Sequence, residues 1–343
     1  MGKNIATPEM LNAIRNDASD TYRAVVPEAT RGNLLDVGNP IVNNYQKVAN
    51  EFIDALVNKI IFTVVERATW SNPLSRLRRN DIPLGYDVEM VQTNPASAEQ
   101  YATGDTEMAS LLKEKLPDSA TAYFRLNRKD RYKVTIYNNV LRHAFLSWSN
   151  LEDMIAQITD SLYNGNAIDE FLYTKRLISS ALAQNKIQTK VTAMPVNEAT
   201  GKQFMNSVRG LSTAFTFPSS NYNNYQLNGG DSPRMTWSPI ERQIILVRGD
   251  VASSVGVDVL SAAFNLNYSD YLAPQIIVDS FDDEGKILAV VADDRAFFIA
   301  TQLRQFAEFF NAAVLGWQYY YHAWDWFSLN PLYNAVALVT EQP

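Results

Sequence analysis

The sequence predicts an α+β protein. Three observations carry that reading. Leu151, Met154, Ile155, Ile158, Leu162, Ile168, Phe171, Leu172 and Ile178 keep helical three- and four-residue spacing through one long segment. Several runs have strand character, among them "YDVEMVQT", "TAYFRLNRKDRYKVTIY" and "RQIILVRG". The regular strand–helix–strand alternation of a doubly wound sheet is missing. The 343 residues, 46% hydrophobic and 20% charged, suffice for one large domain or two moderate ones.

Residues 1–44 are polar and broken by Pro8, Pro27 and Pro40, which predicts an arm with short helices rather than a compact unit. From Tyr45 to about Ile61, the residues Val48, Phe52, Ile53, Leu56, Val57 and Ile60 mark an amphipathic helix. The branched and aromatic "IFTVVERATW" then reads as a strand. "YDVEMVQT" alternates, residues 97–118 are polar and contain Gly104 and Pro117, and "TAYFRLNRKDRYKVTIY" alternates again. Two strands around so long a polar segment predict an extended hairpin, and a loop of that length implies a function.

Ser149 with Glu152 fits a capping box at the start of the long helix. Unbroken to Gln184, that helix would be ~50 Å long. Asn164-Gly165-Asn166 predicts a bend within it. Further on, "ATGKQFMNSVRGLSTAF" is helical, "NYNNYQLNGGDSP" is loop, and "VDVLSAAFNL" is a short helix. "PQIIVDSF" and "KILAVVADDRAFFIATQL" are strands. In the dense band that follows, Trp317, Tyr319, Tyr321 and Ala323 share one strand face, while Tyr320, His322, Trp324 and Trp326 share the other. Both faces are aromatic, which predicts that both are covered, by the sheet core or by another subunit. "SLNP" turns the chain, and "LYNAVALV" is expected to return beside the band as a second strand.

Much chemistry is excluded by composition. There is no cysteine, hence no disulfide, thiolate metal site or cysteine nucleophile. The two histidines, His143 and His322, cannot build a three-histidine zinc site and read as structural. No GxSxG elbow, P-loop or GxGxxG occurs, and "LNGGDSP" is a turn. "DSFDDEG", from Asp279 to Gly285, lacks the ligand spacing of a calcium loop and reads as a solvated turn between strands. "RLNRKDRYK" mixes cations with aromatics and reads as the solvated edge of a strand. No catalytic, cofactor-binding or metal site is expected, and no cofactor. The N-terminal residues lack a signal-peptide core, and Ala6 stands where a myristoylation motif wants Ser or Thr. Apolar runs such as "IIFTVV" are too short to span a bilayer, so no membrane partner is expected. The net charge of −7 argues against a tight grip on nucleic acid.

Four stretches, "NPLSRLRRNDIPLG", "HAFLSWSNLEDMIAQITDSLYN", "VDVLSAAFN" and "YYYHAWDWFSLNPLYNAVALV", occur together in order from about residue 45 to the end. Together they resemble the major capsid protein of small podoviruses of the phi twenty-nine group. The resemblance implies the tailed-phage shell fold, often called the HK-ninety-seven fold. Its parts would be an N-terminal arm and first helix over 1–65, a peripheral-domain strand over 66–80, and an E-loop hairpin over 81–135. A peripheral domain with the spine helix would span 136–189, an axial domain 190–290, and closing peripheral strands 291–343. The arm matches less clearly than the rest. Some relatives carry a further immunoglobulin-like domain, which a chain ending at Pro343 is expected to lack. The implied protein self-assembles as pentamers and hexamers of a homo-oligomeric phage head, icosahedral or elongated, around loosely held double-stranded DNA. It would use a separate scaffolding protein and a portal, and assemble in the host bacterial cytoplasm before residing in the virion capsid. A cellular nanocompartment shell of the same fold, and a monomeric ligand-binding module using the aromatic band, are the alternatives; an enzyme ranks last.

The hairpin's charges are expected to be separated. Residues 97–118 carry Glu99, Asp105, Glu107, Glu114 and Asp118 against Lys113 and Lys115, a net of −3. Residues 121–142 carry Arg125, Arg128, Lys129, Arg131, Lys133 and Arg142 against Asp130, a net of +5, and Arg76, Arg78 and Arg79 add to that end. Glu99, Asp105 and Glu107 against Arg76, Arg78, Arg79, Arg125, Arg128 and Arg131 are therefore the expected inter-subunit contacts. Trp317, Tyr319, Tyr321, Trp324 and Trp326 are the expected core or contact aromatics.

Overall fold

The computed structural model describes residues 7–44, 47–49, 51–52, 55–56, 70–79, 81–98, 114–254, 273–311, 313 and 316–340. The sequence-predicted strand over 61–70, except for Trp70, and the short helix over 257–266 lie outside these residues.

The N-terminal residues form three short helices, α1 (Pro8–Asp17), α2 (Asp20–Val25) and α3 (Leu34–Asn39), the last running into a π-turn over Pro40–Asn44. Thr7 and Ser19 cap the first two, their side-chain oxygens accepting from Met10 N and Tyr22 N. This arm is not a loose tether. Leu11, Ile14, Tyr22, Val26, Leu34, Val37 and Ile41 are buried in one core with Phe52, Phe145, Ile155 and Trp317. The expected short helices are present, and the arm adds its apolar residues to a core shared with other segments instead of forming a compact unit of its own.

An antiparallel ribbon follows, β1 (Val88–Thr93) against β2 (Ser119–Phe124), with Val88 opposite Phe124 and Thr93 opposite Ser119. The long alternating run is therefore two strands. It breaks at 125–127, and β3 (Arg128–Tyr137) joins another sheet. Asn127 explains the break. Its side-chain nitrogen donates to Phe327 O at 2.6 Å and its oxygen accepts from Phe327 N at 2.9 Å, so the amide stands in for a backbone ladder rung.

Helix α4 (Asn138–Ala144) leads to α5 (Trp148–Thr159) and, through a π-turn at Asp160–Asn164, to α6 (Gly165–Ala183). The interruption, a π-turn, lies just before the predicted Asn164-Gly165-Asn166 and shares only Asn164 with it. The cap is two residues earlier than predicted: Ser147 Oγ, not Ser149, accepts from Asn150 N at 3.2 Å. Ile168 is exposed, outside the apolar stripe. Next come β4 (Gln188–Val191), α7 (Glu198–Phe215) with an Asn197–Thr200 capping box, β5 (Gln243–Arg248) and α8 (Gly249–Ser254). Strands β6 (Gln275–Val278), β7 (Ile287–Asp293), β8 (Phe297–Asn311), β9 (Gly316–Leu329) and β10 (Ala335–Val339) complete the order.

The chain divides into two units. The first is 1–72, 129–170 and 303–324; the second is 73–128, 171–302 and 325–343. The second holds a five-stranded sheet of order β4-β10-β7-β5-β6, with β10 parallel to β4 and antiparallel to β7. This corrects the expected return of "LYNAVALV" beside the aromatic band. β10 leaves the band and enters this sheet between β4 and β7, where all five of its residues are buried. A continuous apolar strand covered on both faces belongs in that position. The aromatic strand β9 instead lies between β3 and β8 in a three-stranded sheet.

Candidate functional site

The basic residues at the foot of the ribbon, in the second unit, are largely engaged within the subunit. Asp325 is fully buried. Arg128 Nη1 donates to its Oδ2 at 2.9 Å, and Arg78 Nη2 donates to its Oδ1 at 3.2 Å. Thr301 Oγ1 donates to the same carboxylate at 3.3 Å. The Arg128 guanidinium also lies 4.9 Å from the Tyr173 ring and 5.7 Å from that of Phe327. Arg79 donates to the carbonyl oxygens of Phe297 and Asp294, while residues 79 and 82 hydrogen-bond the backbone of Ile299 and Thr301. Arg78, Arg79 and Arg128 thus tie the ribbon's foot to β8 and β9 and are poor candidates for contacts with another subunit. Arg76 and Arg125 are exposed.

The ribbon's inner face is packed. Ala120, Ala122 and Phe124, with Val88 and Met90, meet Phe298, Ala300 and Trp326. Its neck is clamped as well. Asn94 Nδ2 donates to Asp118 Oδ2 at 2.7 Å and to Pro233 O at 3.1 Å, and Met235 N donates back to Asn94 Oδ1. Arg234, buried, donates to Asp118 O at 2.9 Å and Oδ1 at 2.7 Å. The hydrogen bond from Asn94, with those from Arg234 and its charge, outweighs desolvation and holds the Asp118 carboxyl below the usual aspartate range. A depressed folded-state pKa contributes stability above the unfolded value, near pH 4, and loses it as pH falls further. Amide exchange of the flanking strands 88–93 and 119–124 is therefore expected to quicken below about pH 4 relative to β5 and β7, and Asp118→Asn should remove that pH dependence. Unchanged relative exchange down to pH 3 would show that the clamp does not hold the ribbon.

In the first unit the aromatic strand is two-sided. Trp317, Tyr319, Tyr321 and Ala323 are buried in the core with Ile136, Leu151 and Ile158. Residues 318, 320, 322 and 324 alternate with them and are only half-buried. The expectation that both faces are covered is thus corrected for the subunit. Covering the outer face are cations from β3. Lys129 Nζ lies 4.7 Å from the Trp324 ring, while Arg131 and Lys133 each lie 5.8 Å from that of Tyr320. Trp326 departs from its predicted face-mates altogether. It is fully buried in the second unit, edge-on to Phe298 at 5.9 Å.

Glu99, Asp105 and Glu107 lie outside the described residues. The turn after β6 is less free than expected: Lys175, buried, donates to both Asp279 oxygens at 2.9 Å. Burial pushes the Asp279 carboxyl up, yet hydrogen bonding to the Lys175 ammonium and to the backbone wins and leaves it below the ordinary range. His143 is exposed, with Asn150 Nδ2 3.3 Å from its Nδ1, and His322 stacks near Tyr320 with ring centroids 6.4 Å apart. Sequence reasoning missed Asn94, Arg234 and Asp325, whose partners lie far away in the chain. Lys129 and Lys133 were legible, since their two-residue spacing with Arg131 is the period of one strand face.

The sheets and helices described above recur in known shells. A chain in the capsid structure of Staphylococcus phage Andhra superimposes with a TM-score of 0.60 at 13% identity, covering 79% of this chain and 84% of that one. The fold is accordingly that of tailed-phage capsid proteins. The major capsid protein of Bacillus phage PZA is 31% identical over 336 residues, spanning 97% of this chain and 72% of the relative. That of Streptococcus phage Cp-1 is 28% identical over 341 residues, spanning 94% of this chain and 91% of the relative. The family model of Phi29-like phage major capsid proteins matches residues 11–339. With α2 to α8, all three described sheets and the aromatic strand inside that match, the chain belongs to the Phi29-like phage major capsid protein family, and its function is structural, the forming of a capsid.

Proposed function

We propose that the chain assembles as pentamers and hexamers of a phage head enclosing double-stranded DNA, and performs no catalytic step. The observation that carries this reading is the family match over residues 11–339. A separate scaffolding protein and a portal act during assembly in the bacterial cytoplasm. The net charge of −7 keeps the wall from binding DNA tightly, so packaged DNA contacts it weakly and without sequence preference. Residues 81–135 contain the E-loop, and the helix pair α5 and α6 is the spine of the peripheral domain. The axial domain is built on β5 to β7, with β10 added to its sheet. Negative-stain microscopy of the chain expressed with its phage's head genes is the test. Closed particles that protect DNA from nuclease are expected. Small monomeric particles would overturn the reading, and closed particles holding protein cargo without DNA would turn it toward a nanocompartment.

A further inference from the structure

We propose that Asn228 is a site of spontaneous deamidation, and that its conversion loosens the neck of the ribbon. The chemistry does not depend on the shell, since every group that takes part lies in the second unit of one subunit.

Asparagine is followed by glycine at two places only, Asn164-Gly165 and Asn228-Gly229. With no Cβ on the following residue, the backbone can bend until the glycine nitrogen reaches the asparagine side chain. That nitrogen, once it has lost its proton to hydroxide, attacks Asn228 Cγ. The bond from Gly229 N to Cγ forms, the bond from Cγ to Nδ2 breaks, and ammonia leaves with a proton taken from water. Water then opens the cyclic imide at one of its two carbonyls. Opening at Cγ leaves aspartate. Opening at the main-chain carbonyl leaves isoaspartate, whose backbone runs through Cβ and Cγ. Water is consumed and ammonia released, with no oxidant or reductant.

The structure separates the two places. Asn164 ends the π-turn that runs into α6, and Gly165 is the first residue of that 19-residue helix. Leu162 and Asn166 beside them are buried. Bending the chain there means unpacking the start of a helix from the core. Asn228 and Gly229 are both exposed. They close a 3-10 turn of three residues, Gln226–Asn228, after which Gly229 takes a left-handed φ of +88°. Hydrogen bonds hold the turn, among them Gly229 N to Gln226 O at 3.2 Å, and Asn228 Nδ2 to Asn224 O at 2.8 Å and to Lys186 O at 3.1 Å. A short exposed turn opens at the low end of local stability and takes no core with it. Asn228 is therefore the residue that reacts first.

Conversion there is felt further on. The Asn228 amide is the donor in both of its side-chain bonds, so a carboxylate in its place faces two carbonyl oxygens with nothing to give them. Isoaspartate also lengthens the main chain by a methylene just ahead of Gly230. The backbone at Gly230 lies against the Tyr225 ring, which a Cβ added at that glycine would overlap. Tyr225 in turn carries Arg234, whose guanidinium is 5.1 Å from the ring centroid. Arg234 clamps Asp118 at the neck of the ribbon. A displaced 229–230 backbone thus shifts the ring on which the clamping arginine rests. The reaction does not reverse, so the hold on the neck weakens with the age of the subunit.

Purified subunit kept in neutral and mildly alkaline buffer, and sampled over weeks, tests the inference. Peptide mass spectrometry with isoaspartate methyltransferase labelling locates the product. Amide exchange in the same samples reads strands 88–93 and 119–124 against β5 and β7. Product is expected at 228 several-fold ahead of 164 and faster at the higher pH, whereas in urea the two places should react similarly. Exchange of the ribbon strands should quicken in step with the converted fraction. N228D supplies aspartate without isoaspartate and should show part of that quickening from the start. N228Q, whose longer side chain closes a less favourable ring, should form no product at 228, and its ribbon exchange should not drift with time. Product at 164 ahead of 228, or none at 228 over a period in which the urea-unfolded chain converts, would rule out the site. Conversion at 228 with unchanged ribbon exchange would rule out its link to the neck.

Discussion

Asp325→Ala is expected to leave the subunit close to unfolding. The carboxylate is fully buried, and the Arg128 side chain opposite it is 2% exposed. Removing the acid leaves Arg128 with its charge in a site without solvent, while Arg78 and Thr301 lose a shared acceptor. Breaking a buried pair from one side costs about 3–5 kcal/mol, a large part of the ~5–15 kcal/mol that holds a protein folded. Asp325→Asn should be damaging too, since an amide can accept from one arginine but neutralises neither. The pair's net value is another matter. Replacing Asp325, Arg78 and Arg128 together by apolar residues of similar volume is expected to recover most of the loss, because the desolvation cost of all three charges goes with them. Urea denaturation of the purified subunit reads all three variants. An unshifted midpoint for Asp325→Ala would mean that water reaches the arginines and that the site is not closed.

Trp326→Ala and Trp324→Ala should differ sharply, although the two residues are neighbours on one face of an ideal strand. Trp326 has no exposed surface and packs against Phe298 in the cluster under the ribbon. Its loss should cost about 3–5 kcal/mol. Trp324 is half-buried beneath Lys129, so truncation there should cost roughly 1 kcal/mol, mostly packing and the cation–ring contact. Trp326→Phe offers a finer test. The indole N–H has no hydrogen-bond partner among the described residues, and an unpaired buried donor carries a penalty of ~1–3 kcal/mol. Phenylalanine removes that donor and some volume together, and should fall far short of the alanine loss. Thermal unfolding of the three variants separates these cases. Equal melting temperatures for W324A and W326A would show that the strand keeps one alternating pattern to its end.

That contrast shows what the sequence can display. Local period was legible. The stripe from Leu151 to Ile178, the alternation of "VEMVQT" and the buried side of Trp317, Tyr319 and Tyr321 follow from spacing alone. The break between β2 and β3 was not, because the pattern runs on through Arg125 to Asn127 and the break depends on an amide finding Phe327, 200 residues away. The same limit hid the candidate surface. Arg128 and Arg131 look alike in "RKDRYK", yet one is sealed against Asp325, 197 positions on, and the other lies open over a tyrosine. Charge counting assigns both to one patch, whereas burial separates them. The arm's share in the core was hidden for another reason. Its prolines are conspicuous and its apolar residues sparse, but Leu11, Ile14 and Tyr22 need only one face each to join a core supplied by other segments.

The position of β10 has a consequence for biosynthesis. It is the last of the described strands in chain order, and it lies between β4 and β7: until β10 arrives, β4 has no neighbour among the described strands and β7 has only β5. The first unit likewise draws its core from three separate stretches, 1–72, 129–170 and 303–324. A growing chain can therefore form its helices and the β5–β7 pair on the ribosome, but it cannot complete either unit until nearly everything has emerged. Contacts this distant close slowly, and the open edges of β4 and β7 are exposed in the meantime. Translation at ~5–20 residues per second leaves that interval open for many seconds. A protein made in the great numbers a shell requires would meet its own unfinished copies during that time, so chaperone supply in the producing cell, more than the stability of the finished subunit, should set the yield of soluble protein.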